Sequence, residues 1–317
     1  HNITGALGNN VTVTAVPQNL QVWVDGVMLA ANAFTVSGQT VTLVQTPANG
    51  KEVAVLLELQ ARFDEEANIS WARALEEVGA HVVYGIVGYK THCKACLVVR
   101  QEAEGIRRYC HLATGNYNVR TGALYGDLGL FTCRDTIGED LTELFNLLTG
   151  YAHPRDFHHL LVSPFDLRGG LVQRIRREAR QARDGHPAQI IAKMNGLEDP
   201  TLINELYVAS QAGVQIDLIV RGLCCLRPGI PGVSDRIRVV SIIDRYLEHA
   251  RIYFFHNAGN SEYWLSSADW MPRNLDNRVE VAFPILDGVL QEQIRGILDI
   301  QLADTVKSHR MLSDGRS

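Results

Sequence analysis

Two segments of this 317-residue chain read as the same β-α-β unit, and each is followed by a histidine two residues before a cation. The first unit runs through VAVLLEL (53–59), EEANISWARALEEVG (65–79) and HVVYGIVG (81–88). The second runs through AQIIAKMN (188–195), DPTLINELYVASQAG (199–213) and VQIDLIVRG (214–222). Short, nearly continuous apolar runs mark strands covered on both faces, and the segments between them carry helical apolar spacing. Asp199 is an N-cap candidate and Gly213 lies just past the helix end. Strand, helix, strand in that order implies a parallel pair with a crossover, so the expected fold is a duplicated α/β protein.

The chemistry repeats with the fold. THCK (91–94) is followed by HLATGNYN (111–118), and EHAR (248–251) by LSSADWMPRN (265–274). Each copy offers His-x-Lys or His-x-Arg and then a small-residue turn ending in Asn116 or Asp269, 24 and 20 residues after the histidine. A repeat at domain scale is harder to obtain by accident than either motif alone. Residues two apart on a strand share a face, which sets His92 beside Lys94 and His249 beside Arg251. An imidazole can attack phosphorus or relay a proton near neutral pH, and the adjacent cation offsets charge on phosphate oxygens. Two such strands across a cleft would supply a nucleophile and an acid/base partner.

The same stretch contains a competing motif, Cys93-x-x-Cys96. Residues three apart on a strand leave opposite faces, and no second C-x-x-C completes a four-thiolate site, so packed thiols are the expectation. Six cysteines in a chain this long do not form a small disulfide scaffold. A hydrophobic content of 46% with 21% charged residues fits a soluble globular protein. A net charge of −5 gives no overall basic field for a nucleic-acid backbone, so an anionic ligand must be met by a local cluster. No apolar run approaches a membrane span, and no signal peptide is visible, which makes the cytoplasm, or the membrane periphery, the expected location.

Three segments are expected. Residues 1–47 alternate β-branched or apolar residues with polar ones and predict a small antiparallel β segment of three or four strands, with TPANG (46–50) as linker. Residues 48–165 and 166–317 then form the two α/β domains. Arg174, Arg176, Arg177, Arg180 and Arg183 crowd a predicted helix at 167–185, either as a solvated face or as the wall of a polyanion path. A further helix is expected at 286–306.

The stretches ARFDEEANI (61–69), KTHCK (90–94), HLATGNYN, LYGDLGL (124–130), IIAKMN (190–195), LIVRGLCCLRPG (218–229), LEHARIYFFHN (247–257) and SADWMPRNLDNRVEV (267–281) resemble the C-terminal catalytic half of bacterial polyphosphate kinases of the first type. The resemblance is dense and collinear from about residue 48 to the end. It implies two phospholipase-D-like α/β domains and reversible transfer of the terminal phosphate between ATP and polyphosphate through phosphohistidine, with ATP/ADP and inorganic polyphosphate as partners and Mg2+ screening the triphosphate. It implies that His92 is the phosphorylated residue, that His249 assists, that Arg62 lies near phosphate and magnesium, and that Tyr125 and Arg221 hold the nucleotide. It allows a homo-oligomer. Members of this family carry further domains upstream, and a strand and an arginine just before the matched region, which this chain does not show. Residues 1–47 instead resemble small β-domains of phage structural proteins.

The remaining polar residues are argued physically. Lys193 and Arg227 sit at strand ends or in turns where a polyanion could meet them, with structural ion pairs as the alternative. Asn116 and Asn274 could donate to phosphate or cap turns; the match of Asn116 to Asp269 in the repeat favours phosphate for the former. Two other functions remain open: a polyanion- or nucleotide-binding protein without catalysis, and a phosphodiesterase. The phosphodiesterases of this fold usually place an Asp soon after His-x-Lys, whereas the fourth residue past Lys94 is Val98.

Overall fold

The computed structural model describes residues 54–58, 65–86, 88–150 and 157–316, with short strand segments at 12–14, 23–24, 27–28, 34–37 and 40–43. Its largest element is a nine-stranded sheet. Gln189–Met194, Gln215–Val220 and Ile237–Ile242 run parallel at its centre. Arg251–Phe255, Glu262–Ser266, Arg278–Pro284 and Leu161–Ser163 extend it on one side in antiparallel steps, and Ser308–Arg310 closes the other. Leu161–Ser163 joins this sheet although it precedes the division expected at residue 165.

The apolar runs explain the layers. Successive side chains of QIIAKM and QIDLIV point to opposite faces, and both faces are buried. Ile190, Ala192, Ile216 and Leu218 pack under the helices Leu167–Arg183 and Pro200–Gln211, meeting Leu171, Ile175, Leu202 and Leu206. The second of these helices starts where the sequence places it. The Asp199 carboxylate accepts from the amide of Leu202 at 3.0 Å and Pro200 fills the first turn, where a missing N–H costs nothing.

The opposite face carries Ile191, Ile219, Ile252, Val281 and Phe283. It packs against Ile294 and Leu298 of the helix Gly288–Ala303 and against the first half of the chain. That half contributes a three-stranded antiparallel sheet of Lys94–Glu102, Gly105–Ala113 and Gly129–Thr132, backed by Leu141, Leu144 and Leu148 of the helix Asp135–Leu148. The two halves thus share one core. Leu141 is fully buried within it, and truncation to Ala there costs on the order of 2–5 kcal/mol.

The first β-α-β unit is present as Ala54–Leu56, Glu65–Glu77 and His81–Val83, with the strands parallel. Its second strand is shorter than the run HVVYGIVG suggests. Gly85 and Gly88, at φ +74° and +88°, turn the chain out of the strand. The next strand, Lys90–Thr91, pairs in parallel with Arg278–Val279 and so belongs to the second half's sheet. Near the N-terminus, Thr12–Thr14, Thr40–Leu43 and Phe34–Ser37 form an antiparallel sheet and Trp23–Val24 pairs with Val27–Met28. Among the described residues of this segment there are five short strands where three or four were expected. The TPANG linker lies outside the described residues. Among the described residues no helix is long and apolar enough to cross a membrane.

Candidate active site

Each histidine of the repeat is delivered by a short parallel strand and received by the other half of the chain. After Lys90–Thr91, the amides of His92 and Cys93 both donate to the carbonyl of Val279, each at 2.9 Å. The next residue along that partner strand, Glu280, accepts from His92 Nδ1 at 2.8 Å. The second site repeats the arrangement. Leu247–Glu248 pairs in parallel with Tyr125–Gly126, and the amides of His249 and Ala250 donate to the carbonyl of Gly126 at 3.2 and 2.8 Å. Asp127, the next residue, accepts from His249 Nδ1 at 2.8 Å.

Electrostatics keep both rings neutral near pH 7. Burial pushes His92 down to about 4, with Glu280 opposing and Lys94 reinforcing the shift. Burial also lowers His249, against the pull of Asp127 and with the help of Arg251 and Lys94. Burial alone would raise Glu280, but His92, Lys94 and Ser267 hold its carboxyl below the usual range. Asp127 is likewise held low against its burial, by His249, Thr114 and Arg251. With a carboxylate on Nδ1, each neutral imidazole carries its proton there and its lone pair on Nε2.

The two cations differ. Lys94 is buried, donates to the carbonyl of His92, and is pushed down to about 8 by burial; its charge acts on Glu280, Asp127 and both histidines. Arg251 is committed to the Asp269 carboxylate, by Nε at 3.2 Å and Nη2 at 3.0 Å. Its Nη1 reaches His249 Nε2 at 3.1 Å and the carbonyl of Thr114 at 3.3 Å. The ring of Tyr125 leans on that of His249 with centroids 5.0 Å apart. Neither C-x-x-C thiol is in a disulfide, and burial pushes Cys93 and Cys96 each up to about 12, so neither is a thiolate at neutral pH.

Comparison with known proteins fits this geometry to a family. Residues 160–317 match the family described as Polyphosphate kinase C-terminal domain 2, and residues 34–154 match Polyphosphate kinase C-terminal domain 1. The chain belongs to the polyphosphate kinase family. The polyphosphate kinase of Thermosynechococcus vestitus is 60% identical over 273 residues, covering 86% of this chain and 37% of that protein. Polyphosphate kinase 1 of Chlorobaculum tepidum is 56% identical over 273 residues, covering 86% and 39%. The chain therefore spans well under half the length of these relatives. The crystal structure of the polyphosphate kinase from Porphyromonas gingivalis superposes with a TM-score of 0.78 at 42% identity, over 84% of this chain and 41% of that one. The phosphatidylserine synthase of Haemophilus influenzae, at 9% identity over 81% and 74% of the two chains, shares the fold with a TM-score of 0.54. The fold is the phospholipase-D-like α/β type. The family match begins at residue 34, inside the segment that the motif resemblance leaves unassigned.

Within this polyphosphate kinase half, the expected ligand residues divide. Arg221 Nε donates to Asn195 Oδ1 at 2.9 Å and to the carbonyl of Glu248 at 3.2 Å, one residue before His249. Lys193 is buried and paired with the Glu248 carboxylate, which also accepts from Gln301 Nε2 at 2.7 Å. Asn195 completes the network, its amide donating to Asp269 at 2.7 Å and its side chain to the carbonyl of His249 at 3.2 Å. Arg227 is exposed beyond this network, its main-chain amide donating to Tyr207. Asn116 is exposed on its turn, whereas its repeat counterpart Asp269 is buried and holds Arg251. Asn274 is buried and donates to Glu280 Oε1 at 2.6 Å. Arg62 lies outside the described residues. Of the arginine helix, Arg174 and Arg177 are taken by Glu262 and Arg176 by Glu205.

Sequence reasoning missed Asp127 and Glu280. Both lie in stretches that carry the family resemblance, a few residues beyond the turn that closes each copy of the motif. The visible signal was Tyr-Gly-Asp at 125–127 against Arg-Val-Glu at 278–280, each two strand residues and then a carboxylate, Asp127 just past the end of its strand and Glu280 within its own.

Proposed function

We propose that this chain performs the phosphotransfer of a polyphosphate kinase: reversible movement of the terminal phosphate of ATP to polyphosphate through a phosphohistidine on His92. The observation that carries this reading is the seat of His92. Its Nδ1 is engaged by a fully buried carboxylate while the side chain keeps 21% exposure, so the Nε2 edge is the one offered to substrate. A neutral ring with that edge open is a nucleophile at pH 7.

In the first half-reaction the Nε2 lone pair attacks the terminal phosphorus, the bond from phosphorus to the bridging oxygen breaks, and ADP leaves with the electron pair. The ring becomes cationic, and Glu280, bonded to the Nδ1 proton, offsets that charge. In the second, a terminal oxygen of polyphosphate attacks the same phosphorus and the N–P pair returns to Nε2. Lys94 faces the phosphoryl oxygens as the cation least committed to a carboxylate. His249, with Arg251 at its Nε2, assists from the other side of the transferred group as acid/base partner.

Tyr125 and Arg221 line the nucleotide side through their contacts with His249 and Glu248. Lys193 supports the same side through Glu248, Arg227 and Asn116 would meet the more distant phosphates, and the resemblance implies that Arg62 acts near the magnesium-phosphate. Magnesium, when bound, screens charge on the triphosphate. Among the described residues no three His, Cys, Asp or Glu side chains cluster to hold a metal.

The test is covalent labelling. Incubation with γ-labelled ATP and Mg2+ should leave acid-labile, base-stable phosphate on the chain, dischargeable to polyphosphate and absent in His92→Ala. No label on a folded preparation that still binds polyphosphate would sink the reading.

A further inference from the structure

Beneath each carboxylate lies a hydroxyl, and the interval between them is the same in both halves. Ser267 Oγ donates to Glu280 Oε2 at 2.5 Å and Thr114 Oγ1 donates to Asp127 Oδ1 at 2.7 Å, thirteen residues apart in each case. Both hydroxyl residues are fully buried. Each also accepts: the amide of Val281 donates to Ser267 Oγ and that of Leu128 to Thr114 Oγ1, both at 3.0 Å. The backbone closes both rings, with Ser267 N donating to Val281 O at 3.0 Å and Thr114 N to Leu128 O at 2.9 Å.

This geometry dictates where protons go. A hydroxyl has one proton, and an incoming amide N–H occupies its lone-pair side. The proton is thereby turned outward to the carboxylate; the other acceptor near Ser267, the carbonyl of Val281, is farther at 3.5 Å. The ionised carboxylate has no proton to give, so the imidazole nitrogen that meets it must be the donor. The lone pair of the ring is then left on Nε2.

We infer that Ser267 and Thr114 are matched positioning residues that fix which imidazole nitrogen carries the proton, Ser267 for His92 through Glu280 and Thr114 for His249 through Asp127. The placement of the proton is a property of the resting protein; only its effect on rate rests on the phosphotransfer proposed above. Loss of the Ser267 hydroxyl removes a donor from a carboxylate to which water has no access, so Glu280 becomes a site that can accept a proton and the ring can take either tautomer.

Nitrogen-15 NMR of the histidine-labelled chain at pH 7, with signals assigned by His92→Gln and His249→Gln, reads this directly. The intact chain should show protonated Nδ1 and unprotonated Nε2 at both rings. Ser267→Ala should shift His92 to a mixture of tautomers and slow single-turnover labelling by roughly tenfold or more at unchanged KM for ATP, and Ser267→Thr should restore both. Thr114→Val and Thr114→Ser should do the same at His249. A His92 tautomer and labelling rate unmoved in Ser267→Ala would overturn the inference. If Ser267→Ala fails to fold, Ser267→Cys, with its weaker donor, should give an intermediate tautomer shift, and an unshifted ring there overturns it equally. A tautomer shift in a chain that never labels would leave the inference standing and sink the phosphotransfer reading instead.

Discussion

The seat of His92 and the seat of His249 are built on one plan and finished differently. Glu280 is fully buried and held by three side-chain donors, from His92, Ser267 and Asn274. Asp127 keeps 23% of its side-chain exposure and is held by His249 and Thr114. Beside His92 the cation is a buried lysine on a main-chain carbonyl; beside His249 it is an arginine locked to Asp269 and pointed at the ring. The same inheritance thus yields one ring with a sealed base and an open edge, and another whose edge is already met by a cation. Duplication supplied the parts, and the outer contacts divided the labour.

That contrast can be broken at several points. The largest effect is expected from Glu280→Gln, which puts an amide N–H against the donors Ser267 or Asn274 and loses the anion behind His92. Single-turnover labelling should fall by roughly three to four orders of magnitude, and a loss under tenfold would end the claim that this carboxylate orients the nucleophile. Asp127→Asn should cost less, roughly 10–100-fold, because its site is partly open to water; rapid-quench assays of both variants compare the two seats on one scale.

Gly115→Ala sharpens the comparison from the backbone side. A Cβ at Gly115 would sit 2.0 Å from Asp127 Oδ2, so the carboxylate must move off His249. Activity should drop about as far as in Asp127→Asn, with a stability loss of roughly 1–3 kcal/mol in a denaturant titration. Unchanged activity would mean the second seat tolerates displacement.

The pH profile separates the seats without mutation. His92 is pushed from 6.5 down to about 4, so its neutral form is stabilised by the fold. The corresponding stability is present above pH 6.5 and is lost as pH falls from there to about 4, with a size on the order of 3 kcal/mol. Labelling should stay on an alkaline plateau only until Lys94 loses its proton at about 8 and then decline. In Lys94→Arg that decline should vanish, measured as initial labelling rate across pH 6–10. The smallest effect is expected on the arginine helix: Arg176→Ala, which removes an exposed side chain paired with Glu205, should leave labelling and polyphosphate binding unchanged in a filter assay. A marked loss of binding would restore the polyanion wall.

What the sequence revealed follows the range of the interactions. Apolar runs and the Asp199 cap are local, and the strands and helices they predict are in place. His92 and His249 were legible because the repeat carried its own internal control. Glu280 and Asp127 were not, because they lie 188 and 122 residues from the histidines they serve and only folding brings them there. The ion pairs of Arg174 and Arg177 were hidden for the same reason, with Glu262 more than 80 residues away. Asn116 shows the limit of the repeat itself. Matching Asp269 in register does not give it the same burial, since the first half's turn faces solvent where the second half's turn is covered.

The exchange of strands between halves has one more consequence. Lys90–Thr91 lies in the second half's sheet, and Tyr125–Gly126 pairs with the strand before His249. Each half therefore holds one of the two histidines and the counter-charge for the other half's histidine, but not for its own. Under the phosphotransfer proposed above, halves made as separate polypeptides would each be chemically silent, and mixing them would restore both centres together or neither.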